Sequence, residues 1–466
     1  MFWLRALSFS MFFSFLLPSL ALSKTDEEVL AGAQERIEKY RKADAQLILK
    51  DSAGKPLPEG AKLSIEQTKH AFLFGGNTRW LFDVHSGADE FQKHSALAQK
   101  YSDQFTAIFN YCTVPIFWGS YEREEGKPQY ALTQANIDWA KKYGIKVKAH
   151  PLVWNWVAEP KWLEGRTPEQ AKQAQIKRVQ DFMDHFKGQI TVYDVVNEPS
   201  GWDRKPGWKN SPLLVKAANE MGIQNWQRLM YETARKADPT ATLMVNDFTL
   251  EGLYEKDGID PLINKDGSTL FDGIGFQSHM FGGTWPLEKT WEICERFSKY
   301  NKPIHFTEVS IVSGDRQKVS KAAASQDVTG ERTEAQWKVT PETEQRQAND
   351  VVKFYTTLFS HPSVQAINWW YVTDLNAHPA GSPPGLLRAD MSPKPAYLAL
   401  KKLIKETWWT KTNATVNQAG EASMRGFYGE YNVSYESPDG RTLQGKFTLS
   451  KDSTAPMIVN LQQESK

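Results

Sequence analysis

Cysteine is nearly missing from this chain: Cys112 and Cys294 are the only two among 466 residues. A disulfide framework therefore does not hold the fold together, and because both lie in apolar segments, two buried free thiols are expected rather than a bridge. Net charge is nearly missing too. Fifty-six basic residues face 55 acidic ones, which argues against nucleic acid or an anionic membrane surface as a partner. Beyond the first residues no segment approaches the roughly 20 apolar residues that span a bilayer. No strand-like segment carries the paired histidines of a catalytic metal site, and no glycine-rich phosphate loop is present, so neither a metal nor another cofactor is expected.

What the chain does have begins at its N-terminus. Arg5 precedes an apolar run from Phe9 to Leu17, followed by Pro18 and the small-residue pattern Ala21, Leu22, Ser23. Residues 1–23 read as a cleavable signal peptide, and the mature protein is expected to be secreted or periplasmic. Tryptophan and tyrosine are abundant, 17 and 16, and flat rings are what sugar faces stack on.

Residues 24–68 combine a helical stripe (Val29, Leu30, Ala33, Ile37, Tyr40) with two strand-like segments, "AQLILKD" and "AKLSIEQT", around a Gly- and Pro-rich turn. Residues 69–408 alternate short apolar segments with amphipathic helical ones. The strand candidates are "HAFLFGG", "QFTAIFNY", "GIKVKAH", "TVYDVVNE", "ATLMVND", "GIGFQSHM", "PIHFTEV" and "VQAINWWYV". Eight strands with helical connections predict an α/β fold, a (β/α)8 TIM barrel. Residues 409–466 alternate with period two and predict a β tail that packs on the N-terminal element as one accessory β module, each half being too small alone. Between Ser313 and Glu342 the chain is polar and pattern-poor, a long loop that either lines a cleft, with Trp337 as a stacking residue, or is a plain insertion.

Several of these strands end on polar groups: His150, Glu198, Asp247, His279 and Glu308. Strand C-termini form the active-site face of such barrels. Glu198 and Glu308, ending strands four and seven, would meet across the barrel mouth. A carboxyl pair so placed suits glycosidic bond cleavage, one delivering a proton to the leaving oxygen, the other meeting the positive charge at the sugar carbon.

The segments "VVNE", "GIGFQSHM", "HFTEV" and "WWYVTD", supported by "GIKVKAHPLVW" and "ADMSPKPAY", make residues 65–405 resemble glycoside hydrolase family 10, the retaining β-xylanase family. The resemblance implies Glu198 as general acid/base and Glu308 as nucleophile. It implies Asn197 as the amide that meets the sugar 2-hydroxyl, Gln277 and His279 as the pair holding nucleophile and sugar, His150 and Trp154 as a subsite wall, and Trp370 as an aromatic floor. Asn246 matches the polar residue ending strand five. The implied partner is a polysaccharide, most simply xylan or decorated xylan. Another β-glycan, or a carbohydrate-binding barrel with little turnover, is the alternative.

The chain also departs from the family. Thr113, Val114 and Phe117 stand where a Glu, an Asn and a Lys hydrogen-bond sugar hydroxyls, so the glycone side is expected to be more apolar. Ser310 replaces an Asp that supports the strand-six histidine; a hydroxyl fixes a tautomer but does not stabilise an imidazolium. Asn155, Trp156 and Glu159 change the loop after Trp154, and "LNAHPAGSPPG" stands where a second tryptophan is expected.

Overall fold

A computed structural model describes residues 25–81, 88–154, 159–201, 211–316, 337–375, 377 and 382–463. The signal-like segment lies outside them.

Eight parallel strands close on themselves: β3 (Leu73–Asn77), β4 (Tyr111–Pro115), β5 (Lys146–His150), β6 (Val192–Asn197), β7 (Thr242–Asp247), β8 (Gly273–Phe276), β10 (Ile304–Ile311) and β13 (Val364–Trp369). The ring shuts where β13 pairs with both β10 and β3. This is the expected (β/α)8 barrel. All eight residues of β10 and all six of β6 are buried, as strands must be when side chains fill the inside and helices cover the outside. A two-residue strand, β9 (His279–Met280), extends the rim by pairing with the end of β10.

One strand differs from the sequence expectation. The second barrel strand is "YCTVP", while most of "QFTAIFNY" belongs to the helix Ala88–Ile108. Tyr101, Phe105 and Ile108 recur at helical spacing and are all buried on one face, a period that outweighs the apparent apolar run. The N-terminal stripe also divides, into the helices Asp26–Ala31 and Ala33–Arg41, and β1 (Lys42–Lys50) starts directly after Arg41.

The termini build two further sheets. β1 pairs with β15 (Glu421–Phe427) and β18 (Met457–Asn460). β2 (Lys62–His70) lies between β14 (Lys411–Thr415) and β16 (Gly429–Glu436), and β17 (Thr442–Leu449) and β19 (Gln462–Gln463) complete that sheet. β1 and β2 thus sit in different sheets, each completed by tail strands. Their inward residues, Leu47, Leu49, Leu63 and Ile65, share a separate core with Tyr431, Val433, Phe447 and Val459. Within the long strand-seven loop, β11 (Gly314–Arg316) pairs with β12 (Trp337–Val339); residues 317–336 lie outside the described residues. Trp337 is half-buried opposite Arg316.

Arg41 fastens the N-terminal segment to the barrel. Its guanidinium donates to the carbonyls of Phe359 (2.6 Å), His361 (2.5 Å) and Val364 (2.7 Å). It thereby satisfies the orphan Phe359 carbonyl in the last turn of the helix Pro341–Ser360, whose negative dipole end favours a cation, and ties in His361 and the first residue of β13. Burial pushes its pKa down to about 9. Cys112 and Cys294 are buried free thiols.

Candidate active site

The site forms at the C-terminal ends of the barrel strands, and a break in alternation creates part of it. In a regular strand residues three apart face opposite sides. Asp194 and Asn197 nevertheless both turn to polar partners inside the barrel, because the β6–β7 register slips between Asp194 and Val196. The bulge lets Val195 and Val196 both pack into the apolar core and delivers Asn197 to the rim. Glu198 follows at φ 55°, a left-handed conformation that a residue with a Cβ rarely adopts. Its N–H is held by the Asn246 carbonyl at 2.8 Å.

Glu198 and Glu308 are both buried, at 7 % and 3 % exposure, and a bridge of amides joins them. Gln277 Nε2 donates to Glu198 Oε1 (2.8 Å) and to Asn197 Oδ1 (3.4 Å). Asn246 Nδ2 donates to Asn197 Oδ1 and to Glu308 Oε1, both at 2.8 Å. Thr307 Oγ1 donates to Asn246 Oδ1, which fixes the Asn246 amide. Because Asn197 Oδ1 faces two donors, the orientation of its own amide is forced, and Nδ2 is left buried without a protein partner. Gly275 makes room for this bridge, since a Cβ there would lie 2.6 Å from Asn246 Oδ1.

The carboxylates have unlike surroundings. Glu198 receives Trp154 Nε1–H at 3.2 Å besides the Gln277 amide. Glu308 lies among histidines: His279 Nε2 is 3.2 Å from Oε2, and His150 Nε2 is 3.8 Å from Oε1. Burial penalises the Glu308 charge, but His150, the hydrogen bond from His279, and Lys148 outweigh it and hold its pKa below the ordinary value. Trp370 closes the floor, its ring 5.2 Å from His150 and 6.1 Å from His279. Ser310 Oγ lies 3.0 Å from His279 Nδ1. The structure therefore brings together ten of the candidate residues named from the sequence: His150, Trp154, Asn197, Glu198, Asn246, Gln277, His279, Glu308, Ser310 and Trp370.

Asp247, another polar strand end, serves the loop instead. It accepts from the backbone N–H groups of Ser200 and Thr249. Of the three departures, Val114 is fully buried in the apolar core, Thr113 is fully buried with Oγ1 lacking a protein partner, and Phe117 packs beside Trp154 and His150. The Phe117 ring lies 5.4 Å from Trp154 and 5.9 Å from His150, with the Arg79 guanidinium 5.9 Å above it. Glu159 caps the next helix by accepting from Leu213 and Leu214 N–H; Asn155 and Trp156 lie outside the described residues, as does much of the segment replacing the second tryptophan.

Sequence reasoning missed Lys148 and Asp194. Both are 0 % exposed, and Asp194 Oδ2 takes hydrogen bonds of 2.7 Å from Lys148 Nζ and from His150 Nδ1. The signal was available as a lysine and an aspartate in the middle of strands that otherwise read as buried, since charges there survive only when paired.

The Glycosyl hydrolase family 10 model matches residues 81–403. The chain belongs to this family. It is 25% identical over 328 residues to endo-1,4-beta-xylanase B of Thermotoga neapolitana, covering 66% of this chain and 84% of that one. It is also 26% identical over 430 residues to a protein of Acetivibrio thermocellus named anti-sigma-I factor RsgI6, covering 91% of this chain and 48% of the relative. The chain spans less than half the length of the first curated relatives it matches. Among solved structures, native xylanase 10B of Thermotoga maritima superposes with a TM-score of 0.54 at 22% identity, covering 72% of this family 10 chain and 96% of that one. At that identity the likeness speaks for the fold.

Proposed function

We propose that the protein is an exported retaining glycoside hydrolase that cuts a β-1,4-linked, xylan-type polysaccharide by double displacement. The observation that carries this reading is the pair of buried carboxyls with unlike surroundings, joined by an amide bridge whose one unpartnered donor is Asn197 Nδ2. Glu308, held ionised by His150, the His279 hydrogen bond and Lys148, attacks the anomeric carbon while Glu198 protonates the leaving glycosidic oxygen. The resulting ester is opened by water, which Glu198 deprotonates. Asn197 Nδ2 donates to the 2-hydroxyl as charge develops at the adjacent carbon. Family membership and the xylanase relatives support the substrate class, and the segment from Arg5 to Ser23 supports export.

The first test is hydrolysis of a β-glycan panel, including xylan with and without side chains, followed by proton NMR. The β anomer should appear first; initial release of the α anomer would sink the retaining mechanism. Glu198→Ala should lower turnover of substrates with poor leaving groups by about 10²–10⁴-fold, with far less effect on the first step for activated aryl glycosides. Added azide should restore turnover by forming a β-glycosyl azide.

A second reading, a carbohydrate-binding barrel with little turnover, is favoured by the apolar glycone wall at Phe117 and by likeness across most of the chain to a protein named as an anti-sigma factor. Tight xylan binding without hydrolysis would select it. Phe117→Lys restores a charged donor toward sugar hydroxyls and should lower KM or Kd for unsubstituted xylo-oligosaccharides roughly tenfold, as a charge-assisted hydrogen bond predicts. Unchanged or weaker binding would remove Phe117 as the cause of altered specificity.

A further inference from the structure

His150 and His279 both turn Nε2 toward Glu308, but the groups behind them differ in kind. His150 Nδ1 meets the Asp194 carboxylate at 2.7 Å, an acceptor only, so this nitrogen carries a proton. His279 Nδ1 meets the Ser310 hydroxyl at 3.0 Å, which can donate or accept. His279 Nε2 lies 3.2 Å from Glu308 Oε2, and an ionised carboxylate only accepts, so Nε2 also bears a proton. In neutral His279 that leaves Nδ1 with a lone pair, and a hydroxyl can donate to it where a carboxylate cannot. Among the described residues the Ser310 proton has one other acceptor in reach, the Glu308 main-chain carbonyl at 3.2 Å.

We propose that Ser310 is a positioning residue that holds His279 in its neutral Nε2–H tautomer beside Glu308, its hydroxyl turning to the Glu308 carbonyl when His279 takes up a proton. The inference rests on Glu308 being the ionised nucleophile and concerns how that charge is balanced. Positive charge then reaches Glu308 from the β5 side, through His150 and the Lys148–Asp194 pair, while the β9 side supplies a neutral donor. Other groups facing His279 are Phe281, stacked at 5.4 Å, Trp370 at 6.1 Å and Tyr371 at 6.4 Å; Glu198 stands across Gln277. None of these offers Nδ1 a donor in place of Ser310. Keeping His279 neutral leaves less charge to rearrange when Glu308 becomes an ester, because only the His150 side then loses its counter-charge.

Nitrogen-15 NMR of histidine-labelled full-length protein reads the tautomer without reference to activity. The His279 signals are identified among nine histidines by their loss in His279→Gln. At neutral pH the wild type should show Nε2 protonated and Nδ1 unprotonated. Ser310→Thr should keep this pattern and the pH–rate profile. Ser310→Asp should protonate both nitrogens and carry that state about one pH unit or more higher, as an opposite charge at this distance does, with the alkaline limb of kcat/KM moving the same way. A protonated Nδ1 in the neutral wild type, or an Asp variant indistinguishable from it, overturns the proposal. Because the spectra need no turnover, that outcome is distinct from failure of the glycosidase reading.

Discussion

Glu308→Gln is expected to lower kcat by on the order of 10⁵-fold while leaving the fold intact, the loss typical of removing a covalent nucleophile. The amide matches the carboxylate in size and can still accept from Asn246 Nδ2, so circular dichroism and substrate binding should change little. What is lost, under the proposed mechanism, is the group that forms the ester. Steady-state kinetics decide the matter: retention of more than about one per cent of activity is incompatible with covalent catalysis by Glu308. The same residue is expected to set the acid limb of the wild-type profile. Its pKa lies below the ordinary value despite burial, because His150, His279 and Lys148 favour the charge. Activity should therefore persist below the usual carboxylate range. The stability this environment contributes is full above that range and is lost as pH falls through the lowered value.

Lys148→Met is expected to cost about 3–5 kcal/mol of folding stability, the usual penalty for stranding one member of a buried ion pair. Lys148 and Asp194 are both 0 % exposed at 2.7 Å, and Asp194 Oδ1 has no partner of its own, so little remains to balance the charge. Urea denaturation should show a lower midpoint at neutral pH. The deficit should shrink on acidification: Asp194 is held below the ordinary carboxylate value in the wild type, where burial opposes its charge but Lys148 and His150 more than compensate, and protonation removes the stranded charge. A double variant, Lys148→Met with Asp194→Leu, should recover most of the stability yet stay impaired in turnover, since His150 Nδ1 loses its acceptor. An unchanged midpoint in Lys148→Met would show that the pair contributes nothing.

The barrel and its rim were legible because several strands carry their own evidence: an apolar run that stops on an amide, carboxyl or imidazole. That pattern survives in a one-dimensional reading. The second strand was misplaced because "FTAIF" satisfies both an apolar-run and a helical reading, and only the burial of Tyr101 and Phe105 on one helix face separates them. Lys148 and Asp194 were overlooked for a related reason. They sit mid-strand, and their meaning depends on two segments 46 residues apart meeting side by side. The unpartnered Asn197 Nδ2 could not be read from sequence at all, because its direction follows from two donors contributed by other strands.

Arg41 bears on the order in which the molecule can be made. Its three carbonyl partners lie 318 to 323 residues further along the chain, so on a ribosome the guanidinium emerges long before anything exists to receive it. β1, which follows it directly, waits longer still for β15 and β18. Contacts of such sequence separation form late and slowly. The N-terminal segment therefore remains an unsatisfied end through most of synthesis, and seating Arg41 becomes one of the last steps, a lock turned only after the final barrel strand is in place.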